Sequence, residues 1–303
     1  MTLQQLQYII AVDEHRHFGR AAEACFVTQA TLSLMIKKLE DELGTKLFDR
    51  SRVPVTPTEA GKPLILQARK TIAEAQAFTE MALHPGVAVR GTFRLGIIPT
   101  VAPYLLHRFV RKFLDTWKDV RLIVHELVTD EIVRQLEEGR LDGGILATPL
   151  QNTSLRIREL YKERFYVYAA DDHVVTQKTY IVLDELPTQD MWLLEEGHCL
   201  RDQVIDLCGL RKRESEHHRL DYYAGSIESL IRIVDAEHGF TIVPECAVEE
   251  LSDDVRRARI RGFHDPAPVR TIALALWRDD NKRPVVDALV DMIRGVMRNN
   301  TVE

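Results

Sequence analysis

The sequence predicts a chain of three parts: a winged helix-turn-helix domain, a long linker helix, and an α/β domain with two lobes. Three observations lead to this expectation. Short apolar segments with helical spacing fill the first part, and a segment with basic residues follows them. A single apolar stripe then continues at helical spacing, and beyond Gly91 short apolar runs alternate with helical patterns, which is typical of α/β domains.

We expect these parts to have the following limits. The winged helix-turn-helix domain covers 1–58, the dimerising linker helix and its hinge cover 59–90, and the α/β domain covers 91–303. The two lobes of that domain divide it further: lobe I is expected at about 91–162 plus 267–303, and lobe II at about 163–266.

Composition limits the function classes. With 303 residues, 45% of them apolar, the chain can bury a full core in two or more globular units. No apolar run approaches the roughly 20 residues of a membrane span, and no basic segment followed by a long apolar one suggests a secretory leader. The four cysteines are too few for a disulfide framework. We therefore expect a cytoplasmic protein with reduced thiols and no membrane partner.

The charge distribution constrains any contact with nucleic acid. The net charge is −6, and residues 1–90 hold 11 basic and 10 acidic residues, against 29 and 36 in the remainder. A protein that bound DNA through overall attraction alone would be basic. If this protein binds DNA, it must therefore use a structural element whose shape fits DNA and which is present in two symmetry-related copies.

The first three predicted helices match the helix-turn-helix arrangement. Leu3 opens the first, the segment Phe18–Cys25 forms a short second helix with small alanines, and Thr28 caps a third that ends before Gly44. In this arrangement the last helix enters the major groove and its first residues read base edges. An ordinary three-helix bundle, which has the same periodicity, is the alternative. The candidate DNA-contacting residues are Thr28, Gln29, Thr31, Ser33, Lys37, Arg50 and Arg52.

Residues 46–58 predict a short hairpin that serves as a wing. Its basic residues, Lys46, Arg50 and Arg52, are suited to lie along a phosphate backbone.

The segment after Thr58 predicts a long helix with one continuous apolar face, ended by Pro85-Gly86. The sequence offers no obvious core for this face, so we expect a helix from a second copy to cover it in a homodimer. The apolar positions are Leu64, Ala68, Ile72, Ala75, Phe78 and Ala82.

The remaining chain predicts a parallel sheet flanked by helices. Strands are expected at 92–98, 120–124, 143–146, 165–168, 191–194, 239–243 and 271–276, and helices at 104–114, 131–138, 199–208 and 285–297. Ligands of such sheets bind beyond the carboxyl ends of the strands, which directs attention to Thr100 and Thr129.

Residues 18–50 carry a family resemblance. Their sequence, FGRAAEACFVTQATLSLMIKKLEDELGTKLFDR, strongly resembles the DNA-binding head of LysR-type transcriptional regulators, and the similarity covers the whole chain. The segments GIIPTVAPYLL (96–106) and EGHCLRDQ (196–203) are similar to those of the peroxide-sensing members of that family. Ala30 stands where relatives commonly have Pro, and Leu34-Met35 replaces a more polar pair, so the operator sequence does not follow from the resemblance.

The resemblance implies a fold, an assembly and a signal. The fold is the winged head, a dimerising linker helix, and a two-lobed regulatory domain like that of periplasmic binding proteins; the assembly is a homotetramer on promoter DNA. The signal is hydrogen peroxide, which is expected to join Cys199 (peroxidatic) and Cys208 (resolving) in a disulfide and so switch the expression of oxidative-stress genes.

The residues around Cys199 support this chemistry independently. Helical spacing after His198 places Cys199 at a helix N-terminus, where unpaired backbone N–H groups and the helix dipole stabilise a thiolate, with added help expected from His198 and Arg201. Oxidation of the thiolate gives a sulfenic acid that a second thiol converts to a disulfide. A helix from Cys199 to Cys208 separates them by roughly 13 Å, whereas a disulfide needs Cα atoms within about 7 Å. The segment 197–210 must therefore rearrange.

Polar neighbours are expected to serve the peroxide as its O–O bond breaks. The two threonines at the sheet edge can line the pocket, and Asp202 can relay a proton or cap the helix, whereas two further residues follow from the resemblance alone. The candidate pocket residues are Thr100, Thr129, His198 and Asp202, with His218 and Arg270 added by the resemblance.

Other interpretations of the same residues stay open. Cys25 and Cys246 are expected to be small buried hydrophobic residues. A metal site is the alternative for the His and Cys residues, but their spacing matches no standard zinc pattern, so neither a metal nor another cofactor is expected. That alternative site consists of His198, Cys199, Cys208, His217 and His218.

The favoured function is a redox-switched DNA-binding transcriptional regulator, an activator, rather than an enzyme. Its expected partners are double-stranded promoter DNA, further copies of itself and RNA polymerase. One alternative is a regulator that binds a small metabolite in the cleft near Thr100 and has structural cysteines. The other is a thiol peroxidase, although an enzyme would not need the DNA-binding head.

Overall fold

The computed structural model describes residues 1–83, 89–150, 155–186, 190–208, 222, 224–277 and 282–298. The chain divides into two units. The N-terminal unit contains Met1–Ala88 and Glu137–Arg140, and the C-terminal unit contains Val89–Leu136 and Leu141–Glu303.

Three helices, α1 (Leu3–His15), α2 (Phe18–Ala24) and α3 (Gln29–Leu43), form the helix-turn-helix as predicted. The predicted cap of α3 is confirmed, since the Thr28 hydroxyl accepts a hydrogen bond from the Thr31 backbone N–H at 3.2 Å. Gly44 ends α3 in the left-handed conformation, with φ of 63°. The three helices bury a common core that includes Ile9, Val12, Leu32, Ile36 and Leu39.

A two-stranded antiparallel hairpin, β1 (Phe48–Asp49) and β2 (Thr56–Pro57), follows the three helices at the position predicted for the wing. The backbone N–H of Gly61 donates to the Thr58 hydroxyl at 2.9 Å, and α4 (Gly61–Leu83) begins there.

The apolar face of α4 has a partner that the sequence did not reveal. Ile65 and Ala68 are buried in the core of the N-terminal unit, and the Arg69 guanidinium pairs with Asp13 on α1 at 2.8 Å. The expectation that this face lacks a core within the chain is therefore wrong for its first turns, because α1 covers them. Phe78, farther along, is 75% exposed. The predicted helix end at Pro85-Gly86 lies outside the described residues.

The C-terminal unit alternates strands and helices. In chain order these are β3 (Gly91–Ile97), α5 (Ala102–Thr116), β4 (Val120–Glu126), α6 (Thr129–Glu137), β5 (Gly143–Thr148), β6 (Arg156–Ala169), α7 (Cys199–Leu207), α8 (Ile227–Glu237), β7 (Phe240–Pro244), α9 (Glu245–Glu249), α10 (Asp253–Arg259), β8 (Ile260–Gly262), β9 (Val269–Leu276) and α11 (Arg283–Arg298).

The sheet is mixed, which corrects the parallel sheet expected from the sequence. Its order is β4-β3-β5-β9-β6-β7, with β8 also pairing β6, and only β3 pairs in parallel with its neighbours. The strand β6 is 14 residues long; its first part pairs with β9 and its last part with β7 and β8. It carries the chain out of one lobe and β9 returns it, so the two run antiparallel.

Two apolar cores correspond to two lobes of this unit. The first lobe is built on β3, β4, β5 and β9 with α5, α6 and α11, and the second on the end of β6, β7 and β8 with helices α7 to α9. Tyr104 on α5 reaches the core of the second lobe and donates a hydrogen bond to Glu228 on α8 at 2.7 Å. Helix α5 therefore joins the two lobes.

Two sequence-based strand predictions need correction. The segment 191–194 forms only isolated bridges, Met191 with Phe240 and Leu194 with Ala224, because its neighbours pair elsewhere. The strand expected at 165–168 begins at Arg156. Charged residues are frequent in its first half, where Leu160 alone is buried among the first seven residues, so the sequence shows no clear strand pattern there.

None of the described helices is long and apolar enough to cross a membrane.

Because β5 packs closely against α6, a methyl group added at Gly144 should destabilise the folded protein. A Cβ at Gly144 would overlap the Cγ2 of Ile132, which is fully buried. Overpacking of this kind typically costs about 1–3 kcal/mol, so Gly144→Ala should lower the free energy of unfolding by that amount in urea denaturation. Gly225→Ala is the control, since a Cβ there meets nothing within 4 Å. Equal stability of the two variants would contradict the packing described.

Candidate functional site

A buried arginine lies at the centre of the C-terminal unit. Arg270, on β9, is 1% exposed. Its Nη1 and Nη2 donate to the hydroxyl and backbone carbonyl of Thr100, which follows β3, at 3.2 and 3.1 Å. Its Nε donates to the Glu163 carboxylate on β6 at 2.9 Å. The Arg270 cluster, defined as Arg270, Glu163, Thr100 and Cys246, thus brings together two residues that were predicted as one site.

Cys246 completes the cluster from the start of α9. Its Sγ lies 3.9 Å from Arg270 Nη2, and its backbone N–H donates to Glu163 at 3.0 Å. Burial, assisted by the Glu163 charge, raises the pKa of the Cys246 thiol well above its ordinary value. The expectation of a buried thiol agrees with this position, but the contact with a cation was not foreseen.

Cys199 is the first residue of α7 and lies near this cluster. Burial by itself lowers the pKa of the Arg270 guanidinium, but the charges of the Glu163 carboxylate and of Cys246 and Cys199 in their thiolate forms raise it overall. The Cys199 side chain packs against the core of the first lobe, whereas Leu200 and Val204 belong to the core of the second. Helix α7 therefore contacts both lobes, and the predicted helix start at Cys199 is confirmed.

The loop before Cys199 contacts the start of α6. Gly197, with φ of 92°, has Val128 as its nearest neighbour, 3.9 Å from where a Cβ would be. Val128 directly precedes Thr129. Among the described residues, neither Thr129 Oγ1 nor Gln203 Oε1 has a hydrogen-bond partner although both atoms are buried. A buried polar atom without a partner costs about 1–3 kcal/mol, so each of these two atoms has the capacity for one further hydrogen bond.

The other predicted pocket residues have different environments. His198 is buried, and burial lowers the pKa of its imidazole. It is therefore neutral at neutral pH, so of the two kinds of help expected from the sequence, cationic or hydrogen-bonding, it can give only the hydrogen bond. The Arg201 guanidinium donates to the Leu194 carbonyl at 2.8 Å. Asp202 is exposed, and the hydrogen bonds described do not include it, so it is not part of the Arg270 cluster. His218 lies outside the described residues.

Cys208 is the C-cap of α7 and is a free thiol, as are the other three cysteines. It packs partly buried against the core of the second lobe. This burial raises the pKa of the Cys208 thiol to about 11. The nine residues of α7 separate it from Cys199 by roughly 13 Å along the helix axis. Both thiols are therefore present, but the intact helix keeps them apart.

Within the described residues, no group of three or more His, Cys, Asp or Glu side chains is arranged to hold a metal ion.

The predicted DNA-contacting residues lie on α3 and the wing. Thr28, Gln29, Thr31 and Lys37 are exposed. Ser33 is not free in this state, since its hydroxyl accepts a hydrogen bond from Arg50 Nη1 at 3.1 Å.

The wing adds two cations whose side chains are partly engaged within the protein. Arg50 is the donor to Ser33 on α3, and Arg52 pairs with Asp49 at 3.1 Å. Leu34 is 54% exposed. It places an apolar side chain at the surface of α3, the helix that carries most of the predicted DNA-contacting residues.

Sequence comparisons match both units. The model described as "Bacterial regulatory helix-turn-helix protein, lysR family" matches residues 3–62, and "LysR substrate binding domain" matches residues 87–298. The chain belongs to the LysR family of bacterial transcriptional regulators. Members of this family are DNA-binding regulators rather than enzymes, and their helix-turn-helix domain makes DNA a partner of this chain.

Several similar proteins of this family carry names that refer to hydrogen peroxide or to OxyR. A "Hydrogen peroxide-inducible genes activator" of Haemophilus influenzae is 36% identical over 90% of this chain and 90% of that protein. A full-length OxyR variant of Pseudomonas aeruginosa has a TM-score of 0.80 and 33% identity, covering 97% of this chain and 98% of that one. A Corynebacterium glutamicum OxyR mutant with bound hydrogen peroxide has a TM-score of 0.63 and 28% identity, covering 98% and 94%.

Sequence reasoning missed three polar residues of this LysR-family chain. Glu163 lies in a charged segment that hides it, and the signals for Gln203 were its place one turn after Cys199 and at the end of the segment EGHCLRDQ. Glu40 is buried under the wing. Its position four residues after Ile36, on the core side of α3, is a signal that could have identified it.

The burial of Cys208 predicts slow alkylation at neutral pH. Because a thiol with pKa about 11 is almost entirely protonated there, iodoacetamide should modify Cys208 in the folded protein more slowly than in urea. The rate should rise with pH up to about 11, as followed by mass spectrometry of the Cys208 peptide. Urea-unfolded protein is the control, with its rise centred near the ordinary value of about 8.5. Equal rates in the two states at neutral pH would contradict the burial of this thiol.

Proposed function

We infer that this protein is a transcriptional regulator that hydrogen peroxide switches through oxidation of Cys199. The observation that carries the inference is the position of Cys199, at the first residue of α7 and within electrostatic reach of the buried Arg270 guanidinium. Unpaired N–H groups at a helix start and a nearby cation both stabilise a thiolate. The peroxide-related names of the relatives support the same signal.

The chemistry proceeds in two steps. The Cys199 thiolate attacks one oxygen of hydrogen peroxide, a sulfur–oxygen bond forms, the O–O bond breaks, and the leaving hydroxide takes a proton to become water. The Cys208 thiolate then attacks the Cys199 sulfur, the disulfide forms, and hydroxide leaves. Thr100, Thr129, His198 and Arg270 are proposed to bind the peroxide, and the unpaired oxygens of Thr129 and Gln203 are suitable hydrogen-bond acceptors for its protons.

The second step requires α7 to unwind. The helix holds the two thiols roughly 13 Å apart, and a disulfide needs their Cα atoms within about 7 Å. Unwinding also brings the Cys208 thiol out of the apolar surroundings that raise its pKa. Because α7 packs on both lobes, its rearrangement alters the surface that the regulatory domain offers to other copies.

The assembly extends this proposal to DNA. In this proposal the DNA-binding domain covers 1–58, the dimerising segment covers 59–90, and the sensing domain covers 91–303. The exposed Phe78 supports a dimer through α4, on the part of the helix that α1 does not cover. A homotetramer on promoter DNA, contact with RNA polymerase, activation of oxidative-stress genes and a cytoplasmic location complete the proposed function.

Peptide mass mapping after a brief pulse of hydrogen peroxide tests the proposed function. In the wild type a Cys199–Cys208 disulfide should form. In Cys208→Ser, Cys199 should be trapped by dimedone as a sulfenic acid, and in Cys199→Ser neither product should appear. Cys25→Ser is the matched control and should behave as the wild type, because Cys25 lies in the N-terminal unit, partly buried against its core.

Footprinting on the DNA that the protein binds completes this test. The footprint should change with peroxide in the wild type and Cys25→Ser only. If both thiols stay reduced in peroxide while DNA is still bound, the peroxide switch is wrong and a metabolite in the cleft near Thr100 becomes the candidate signal. Rapid catalytic consumption of peroxide would instead favour a thiol peroxidase.

A further inference from the structure

The carboxylate of Glu40 is buried at the junction of α3 and the wing. Glu40 is 2% exposed, although it lies on a helix whose other acidic residues face solvent. Its Oε1 accepts hydrogen bonds from the backbone N–H groups of Leu47 and Phe48 at 2.8 and 3.4 Å. A buried carboxylate is tolerated only when its oxygens are hydrogen-bonded or paired. Glu40 therefore fixes the backbone that leads into β1 against α3.

The second oxygen of Glu40 faces two cations of the wing. Its Oε2 lies 3.3 Å from Arg50 Nη2 and 3.6 Å from Lys46 Nζ. The Arg50 guanidinium also donates to Ser33 and stacks over the Phe18 ring, 4.8 Å from its centroid. One guanidinium is thus held by α2 and α3 together.

These interactions leave cationic groups around an open cavity. The cavity has a volume of about 810 Å³ and lies between α3 and the wing. Its lining includes four basic side chains, Lys37, Lys46, Arg50 and Arg52, together with the acidic Glu40, Asp49 and Glu59. Lys46 and Arg52 are mostly exposed. Groups that are fixed at matching spacings along a phosphate backbone set the register of a protein on DNA.

We propose that Glu40 is a positioning residue for DNA binding: its buried carboxylate holds the wing and Arg50 against α3, so that the wing and Arg50 meet the phosphate backbone in one fixed position relative to α3. The proposal rests on DNA binding by this chain and adds a residue that does not itself touch DNA. Under this proposal the negatively charged Glu40 strengthens DNA binding, whereas a negative charge near DNA ordinarily weakens it.

The sign of one substitution separates positioning from simple charge. Glu40→Gln removes a negative charge beside Arg50 and Lys46, so a purely electrostatic role predicts tighter DNA binding and a steeper dependence on salt. Positioning predicts the opposite: about tenfold weaker binding, and a slope of log K against log salt that is smaller by about 0.9 for each phosphate that the variant no longer neutralises. Glu42→Gln, an exposed residue of α3 paired with the N-terminal amine at 2.7 Å, removes the same charge and should leave affinity unchanged.

The probe is the duplex that the full-length wild type selects from a random-sequence library, titrated by fluorescence anisotropy over a range of salt concentrations. All variants are compared at a temperature where circular dichroism shows them folded. Glu40→Asp keeps the charge, but its shorter side chain cannot reach both the wing amides and Arg50, so it should also weaken binding. In an Arg50→Ala background, Glu40→Gln should weaken binding less than in the wild type, since the two residues act together.

The outcomes are distinct. Weaker binding and a smaller salt slope in Glu40→Gln, with weaker binding in Glu40→Asp, support the proposal. Unchanged or tighter binding by folded Glu40→Gln or Glu40→Asp, or weaker binding with an unchanged slope, overturns it and leaves DNA binding itself intact. Failure of the wild type to select any duplex would instead overturn the DNA-binding function.

Discussion

The C-terminal unit is organised around the buried Arg270 guanidinium, which binds groups from separate elements. It pairs with Glu163 on β6, donates to Thr100 after β3, and contacts Cys246 at the start of α9. A buried cation is stable only when paired, and loss of one partner from such a pair typically costs about 3–5 kcal/mol. The strands β6 and β9 pass between the lobes at this point. The cluster therefore fixes the junction of the lobes, and with it the electrostatic surroundings of Cys199.

Helix α7 starts at this fixed junction of the lobes, and in the proposed mechanism the helix itself rearranges. Cys199 packs on the first lobe, while Leu200 and Val204 are buried in the second. The same packing that holds Cys199 near Arg270 holds Cys208 a full helix length away. In the proposed mechanism the first step, oxidation of Cys199, takes place with α7 intact, because the N-terminus of the helix stabilises a thiolate. The second step, disulfide formation with Cys208, cannot take place while α7 is intact. A chemical event at one sulfur is thereby converted into a change of packing at both lobes.

Local sequence patterns predicted much of this structure, but they failed where contacts between residues far apart in the sequence determine the arrangement. Thr28 and Gly44 set the limits of α3 correctly because caps act through the nearest backbone groups. The start of α7 at Cys199 was predicted from helical spacing, which likewise depends on neighbouring residues alone. By contrast, Glu163 is 107 residues from Arg270, and nothing in its charged segment shows which carboxylate becomes buried. The exposure of Asp202 could not be foreseen either, since a helix start suits an acidic residue whether or not it faces the site.

Hydrogen exchange of α7, measured with and without peroxide, tests the central claim most directly. In the reduced protein the amides of residues 202–207 should be protected, because they lie within the helix. After stoichiometric peroxide this protection should disappear in the wild type and persist in Cys208→Ser, where Cys199 is oxidised but no disulfide forms. A Cys199–Cys208 disulfide that forms while α7 keeps its protection would contradict the account.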